Sequence, residues 1–196
     1  TKNLWRSKDS VSGNGSTKRS TKNLRLKLPE LLIKYSIKSV LDAPCGDFVW
    51  MEEVLQKFPN IKYFGGDIVD ELIKANKSKH SRDNVSFIQL DITKDKLPKA
   101  DLMIVRDCLF HLSYLDISRF LANFKKSDIG YLLTTSHYGE NITNKDIITG
   151  SFRLIDISKP PFNFKNPIEC FDDFNPIYQK KKLSLYLKKD VPTDLS

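Results

Sequence analysis

The sequence predicts a doubly wound α/β domain with a mostly parallel sheet and an antiparallel strand pair at its C-terminal end. Three observations carry that prediction. Short apolar runs alternate with stretches of helical period five times before Ser136, the pattern of strands joined by crossover helices. Four of the strand-like runs terminate at an aspartate: Asp42, Asp67, Asp91 and Asp107. After Ser136 the alternation gives way to a polar, aromatic and proline-containing stretch, residues 137–167, and then to two further strand-like runs.

Taken in order, residues 6–21 are rich in Ser, Gly, Lys and Thr without a hydrophobic period, and read as a loop. Leu24, Leu28, Leu31 and Leu32 recur at i, i+4, i+7 and i+8 and predict a helix, with Ser20 or Thr21 as N-cap and a bend or break at Pro29. Ser39-Val40-Leu41 leads into Asp42 as a buried strand, and Asp47 is placed to cap a helix carrying Phe48, Met51, Leu55 and Phe58 on one face. Lys62-Tyr63-Phe64 runs through two glycines to Asp67, and a helix over roughly 69–79 turns Leu72 and Ile73 inward. Val85–Leu90 and Leu102–Val105 are strands ending at Asp91 and at Arg106-Asp107. Ile117, Phe120, Leu121 and Phe124 set the next helix, followed by a strand at Tyr131–Thr135. The 137–167 stretch is too long for a simple connection and reads as a functional cap. Ile168–Phe171 and Leu183–Leu187 close the sheet, and the run Lys180–Lys182 reads as a solvated strand edge that discourages pairing.

Composition sets the outer bounds. The chain has 196 residues, 40% hydrophobic and 11% aromatic, enough for one domain with a real core and incompatible with a disordered or fibrous chain. Charges interrupt every apolar run well short of the ~20 residues of a membrane span. The net charge of +8 is uneven: residues 1–38 hold ten Lys/Arg and two acids, whereas residues 39–196 hold 22 of each sign. A basic leader on a neutral domain disfavours a nucleic-acid partner. Three cysteines, Cys45, Cys108 and Cys170, form neither a CxxC pair nor an even set, and no signal peptide opens the chain, so a cytoplasmic location is expected.

Ligands of open parallel sheets bind outside the carboxyl ends of the strands, where the four aspartates are predicted. Like charges gathered there repel unless a ligand or donors offset them. The turn Asp42-Ala43-Pro44-Cys45-Gly46-Asp47-Phe48 has a single glycine, not the G-x-G-x-x-G of a pyrophosphate cradle, and Asp47 would face a phosphate with negative charge. A nicotinamide cofactor is therefore disfavoured. S-adenosylmethionine carries a sulfonium, an ammonium and a ribose diol, all suited to carboxylates.

Residues 39–47 (SVLDAPCGD) resemble the first motif of class I S-adenosylmethionine-dependent methyltransferases, and residues 63–68 (YFGGDI) resemble the second. Residues 87–92 (FIQLDI) and 101–112 (DLMIVRDCLFHL) are similar to the third and fourth. The resemblance implies a Rossmann-like fold, with Asp42, Ala43, Pro44, Cys45 and Gly46 at the methionine portion of the cofactor. It implies Asp67 with Ile68 at the ribose, Asp91 with Ile92 at the adenine, and Arg106 and Asp107 beside the transferred methyl. The leader with Ser12-Gly13-Asn14-Gly15-Ser16, the APCGDF turn, the RDCLFHLS segment and the TGSFRLIDISKPPF stretch together resemble a small methyltransferase group associated with glycan synthesis in bacteria and large DNA viruses. For a viral member the location would be the host cytoplasm. That resemblance makes the leader a lid, with Trp5, Gly15 and Ser16 closing on the cofactor.

Methyl transfer to a sugar hydroxyl requires alignment and the removal of one proton. Asp107, His111 and His137 are the candidate bases. Within the cap, Asn144, Asp146, Arg153 and Asp156 are candidates for hydroxyl recognition, and Tyr138, Phe152 and Phe162 for stacking, although packing is the better reading of Phe162 after Pro160-Pro161. Asp107, His111 and His137 offer ligands to a divalent metal, but nothing has the spacing of a dedicated metal motif and a metal is not favoured. The expected organisation is a single methyltransferase domain: a basic lid and helix (1–38), a cofactor-binding core (39–136), an acceptor-binding cap (137–167) and closing strands (168–196). The expected activity is O-methylation of a sugar hydroxyl in a glycan or glycoconjugate. The alternatives are an RNA methyltransferase using the basic leader, and a non-catalytic cofactor-binding or partner-binding module. Oligomeric state is not legible in the sequence.

Overall fold

The chain folds around one seven-stranded sheet in a computed structural model that describes residues 10, 12–173 and 179–195. Strands β1 (Ser39–Asp42), β2 (Lys62–Asp67), β3 (Val85–Gln89), β4 (Leu102–Val105) and β5 (Tyr131–His137) are parallel, and β6 (Glu169–Asp172) and β7 (Lys181–Leu187) run antiparallel. Their order is β3-β2-β1-β4-β5-β7-β6. The connections carry α2 (Val49–Leu55), α3 (Asp70–His80) and α4 (Tyr114–Lys126), after an N-terminal α1 (Lys22–Lys34); the β3–β4 connection has no helix.

Alternation along the strands divides the core by face. Val40, Leu102, Ile104 and Leu133 join α1 and α2, whereas Leu41, Met103, Val105 and Leu132 join α4. The 137–167 stretch beyond β5 forms no helix or strand, yet Ile155, Ile157, Phe162 and Phe164 are buried beside Phe120, Phe124 and Tyr186. It therefore supplies part of the core on the α4 face, and Phe162 is a packing residue.

Two local expectations are corrected. Pro29 lies inside an uninterrupted α1. Losing one helical hydrogen bond and accommodating the ring costs about 3 kcal/mol, but Leu24, Leu28, Leu31 and Leu32 are all buried, at roughly 1.5–3 kcal/mol each. Asp47 does not cap α2: Phe48 occupies that position in left-handed conformation (φ 64°), its ring buried against Tyr63 and Phe87. Among the described residues, no helix is long and apolar enough to cross a membrane.

Candidate active site

Strand β1 pairs with β2 on one side and β4 on the other, so the chain order reverses at its carboxyl end, the position at which open α/β sheets hold their ligands. Asp42, which ends β1, is buried; Tyr63 on β2 donates its hydroxyl to Oδ2 at 2.9 Å. Oδ1 is buried with no hydrogen-bond partner among the described residues. Burial lifts this carboxyl to about 7, with Asp67 adding to the rise and the Tyr63 hydroxyl and Arg106 opposing it. A buried oxygen lacking a donor is costly, and a ligand ammonium would relieve both the missing bond and the charge. The chemistry of this position thus fits a cationic cofactor.

Asp67 knits the two neighbouring strand ends together. Its Oδ1 accepts the Val69 N–H at 3.0 Å and its Oδ2 the Gly46 N–H at 3.2 Å, and burial raises its carboxyl. The turn between is pinned by Ala43 N–H to Ile104 O (3.0 Å) and Cys45 N–H to Gly66 O (2.8 Å), with Pro44 half-buried between them. Burial pushes the Cys45 thiol far up, so it is not a nucleophile. Gly46 has φ 56° and a Cβ there would lie 2.8 Å from Ser12 Oγ, so the leader needs this glycine. Asp91 turns inward on its own loop: Oδ1 accepts from Thr93 N–H (3.0 Å) and Oγ1 (2.7 Å), and Oδ2 pairs with Lys94 at 3.1 Å. Ile92 is buried, whereas Ile68 is 63% exposed.

The leader lies over this edge. Ser10 donates to Asp47 Oδ2 at 2.7 Å, and Ser12 Oγ accepts the Asp47 N–H at 2.8 Å. Gly15, in the short 3-10 turn Asn14–Ser16, gives its carbonyl to Arg106 Nη2 at 2.9 Å, and a Cβ on Gly15 would lie 2.8 Å from Asp107 Oδ2. Ser16 closes that turn through its N–H on Gly13 O, and Trp5 lies outside the described residues.

The three candidate bases sort by what already holds them. Asp107, at φ 52°, meets Lys181 Nζ through both carboxylate oxygens and Arg106 Nη1 at 3.4 Å, while Thr135 Oγ1 accepts its N–H at 2.9 Å. Burial works to raise its carboxyl, but Arg106 and Lys181 outweigh it and hold the group at about 2. A carboxylate so paired is a weak base. His137, within β5, is buried and spends Nδ1 on the Ile155 N–H at 3.2 Å; burial and Lys181 lower it to about 4. Its neutral ring therefore carries hydrogen on Nε2 and has no lone pair left to accept a proton. In His111 the arrangement is reversed. Nδ1 lies 2.8 Å from the Ser151 carbonyl, which only accepts, so Nδ1 carries the hydrogen and Nε2 keeps the lone pair. Its ring meets Phe110 (centroids 4.5 Å) and Phe152 (5.8 Å), which also touch each other at 5.5 Å, and Phe152 is 56% exposed.

The chain matches the family model of the O-methyltransferase domain over residues 21–129. The chain belongs to the O-methyltransferase domain family. Solved methyltransferases that hold S-adenosylmethionine share its fold. No curated protein matches the sequence. Human N-acetylserotonin methyltransferase in complex with S-adenosylmethionine is similar at TM-score 0.56 and 15% identity, over 84% of this chain and 55% of its own, so this chain spans about half of that enzyme. Magnesium protoporphyrin IX methyltransferase from Synechocystis with the same cofactor bound gives TM-score 0.64 at 11% identity, over 86% of this chain and 80% of its own. The methyltransferase domain of bacterial CtHen1 gives 0.63 at 12% identity, over 86% and 99%. At these identities the similarity is one of fold.

Other residues of this methyltransferase sit differently from expectation. Arg106 is buried and spent on Asp173, with Nε to Oδ2 at 2.8 Å and Nη2 to Oδ1 at 3.3 Å, as well as on Gly15. Lys181 is not on a solvated edge: β7 runs between β5 and β6, so Lys181 meets Asp107 and, at 3.5 Å, Asp173. In the cap, Asn144 bonds the Asp156 and Pro160 carbonyls (2.9 and 2.8 Å) and the Asp156 N–H (2.9 Å). Asp146 Oδ1 accepts the Tyr114 N–H at 2.7 Å and the Ile147 N–H at 2.8 Å. Tyr138 donates to Asp172 at 2.8 Å. Through these bonds the three fasten the cap to itself, to the start of α4 and to the sheet. Arg153 is buried, with Nη1 on the Leu112 carbonyl at 2.6 Å. Among the described residues, no group of three or more His, Cys, Asp or Glu side chains converges for a metal. Asp173, Lys181 and Tyr63 escape a sequence reading because their roles depend on which of the last two strands is interior and on which strand flanks β1.

Proposed function

We propose that this methyltransferase moves the methyl group of S-adenosylmethionine onto a hydroxyl of a sugar in a glycan or glycoconjugate, with His111 as general base. The observation that carries this reading is the Nδ1 contact of His111 with the Ser151 carbonyl, which leaves Nε2 able to accept a hydroxyl proton. A sugar hydroxyl is a poor nucleophile until such a proton is taken. Phe152, exposed beside that ring, offers an apolar face to the C–H edge of a saccharide. The likeness of the leader, turn and cap segments to glycan-associated methyltransferases supports the same acceptor class.

When bound, the cofactor supplies an electrophilic methyl on its sulfonium. Asp42 Oδ1 would hold the cofactor's ammonium, with the 43–46 turn at the methionine portion, Asp67 at the ribose and Asp91 with Ile92 at the adenine. The leader within residues 1–38, including Gly15 and Ser16, excludes water from above, and the cap within 137–167 aligns the acceptor. Arg106, Asp107, Asp173 and Lys181 pair two positive with two negative charges. Three free cysteines accord with the cytoplasmic setting proposed.

RNA is the second reading, motivated by the basic leader. Against it, Lys18 and Arg25 both pair with Glu53, which consumes part of the leader's field. Methyl-deuterated cofactor, incubated with the protein and a panel of saccharides and RNA, is expected to leave a methyl ether on a saccharide by mass spectrometry. Label on RNA alone, or on neither, would overturn the proposal.

A further inference from the structure

We infer that the cap holds an anion-recognition point at Arg153, where the carboxylate or phosphate of an acidic saccharide takes the free edge of the guanidinium. This rests on the acceptor site proposed above and specifies its chemistry. Arg153 is 8% exposed, and among the described residues its Nε and Nη2 are buried without a hydrogen-bond partner. Only Nη1 is bonded, to Leu112 O, while the guanidinium carbon lies 5.4 Å from the Tyr114 ring centroid. Nε and Nη2 form the side-on edge of the fork, the edge with which Arg106 grips Asp173 in this same protein. That edge matches two oxygens on one centre, as in a carboxylate or phosphate, and does not match a single neutral hydroxyl.

A buried guanidinium with this edge unmatched is unfavourable for the fold alone, and among the described residues no acid supplies the match. Asp146, the acid that acts on it through the field, gives Oδ1 to two backbone N–H groups. Its position is the second argument. The segment 150–153 is zipped onto residues 110–112: Gly150 N–H to His111 O (2.8 Å), Arg153 N–H to Phe110 O (3.2 Å) and the His111 ring to Ser151 O. The guanidinium and the proposed base are thus fixed to one three-residue stretch, so an acid held at Arg153 would fix the sugar's register against His111.

The test uses the intact protein and three probes that share one ring: glucose, glucuronate and glucose 6-phosphate, with binding read by calorimetry at low salt. Glucuronate or glucose 6-phosphate is expected to bind at least tenfold more tightly than glucose, and the two arms decide between carboxylate and phosphate. Arg153→Met should abolish the preference and Arg153→Lys should retain part of it, while S-adenosylmethionine affinity stays within twofold in both. Equal binding of all three probes by the unaltered protein, or a preference that survives in Arg153→Met, would overturn the inference. A preference for the acids without any methyl transfer to saccharides would support the anion point and sink the sugar-transfer reading instead.

Discussion

Lys181 places its ammonium nitrogen against both carboxylate oxygens of Asp107, across a separation of 74 positions in sequence and with strand β5 between them. The two side chains are 12% and 23% exposed, and the neighbouring Arg106–Asp173 pair completes a neutral quartet. Removing one cation leaves two carboxylates facing one guanidinium. Lys181→Met should therefore lower stability by up to about 3 kcal/mol, the low end of what breaking a buried pair costs, as read by urea unfolding at pH 7. The Lys181→Met/Asp107→Asn double variant should recover part of that loss. A double variant less stable than the single one would show that charge balance is not the reason for the pairing.

Asp42 couples the cofactor site to pH. Its carboxyl moves from an ordinary 3.8 to about 7 in the folded chain, chiefly through burial. The folded state then binds more protons than the unfolded one between these values, so stability falls as pH rises from about 4 to about 7, by on the order of 4 kcal/mol in full. Asp42→Asn should flatten this slope, gain stability at pH 8 relative to pH 4 and bind S-adenosylmethionine more weakly. Urea midpoints across pH, paired with calorimetry, check both halves; an unchanged slope would mean that Asp42 is ionised at little cost.

The Asp47 carboxylate is one of the points that hold the leader, alongside the Gly15–Arg106 and Lys18–Glu53 contacts. Ser10 and Ser12 both reach the Asp47 carboxylate, at 2.7 and 3.4 Å. Asp47→Ala should speed tryptic cleavage after Lys18 and Arg19 severalfold without shifting the urea midpoint by more than ~0.5 kcal/mol, because local opening is distinct from global unfolding. Cleavage rates equal to those of the unaltered protein would place the hold elsewhere.

The strands and helices were legible because their burial is periodic: Leu24, Leu28, Leu31 and Leu32, or Ile117, Phe120, Leu121 and Phe124, mark one face of a helix wherever it packs. The strand-end aspartates were legible for the same reason, since a residue following an apolar run falls at the sheet edge. What each aspartate does there was not. Asp42 differs from Asp107 only through partners brought by other strands, Tyr63 in one case and Lys181 in the other. Lys181 resembled a solvated edge because the order of the last two strands is set by pairing with β5, which no local pattern records. Asn144 and Asp146 read as recognition groups in the sequence; that they also satisfy backbone groups of the cap and of the start of α4 was not legible, because those partners are set by the fold of a segment without regular structure.

In the proposed reaction His111 takes the proton of the acceptor hydroxyl. Steady-state methyl transfer by His111→Ala, with cofactor affinity measured alongside, tests it most directly. If His111 is the base, kcat falls by about 10²–10⁴-fold with S-adenosylmethionine affinity unchanged. A variant that keeps full turnover on a hydroxyl acceptor while binding the cofactor normally would contradict it.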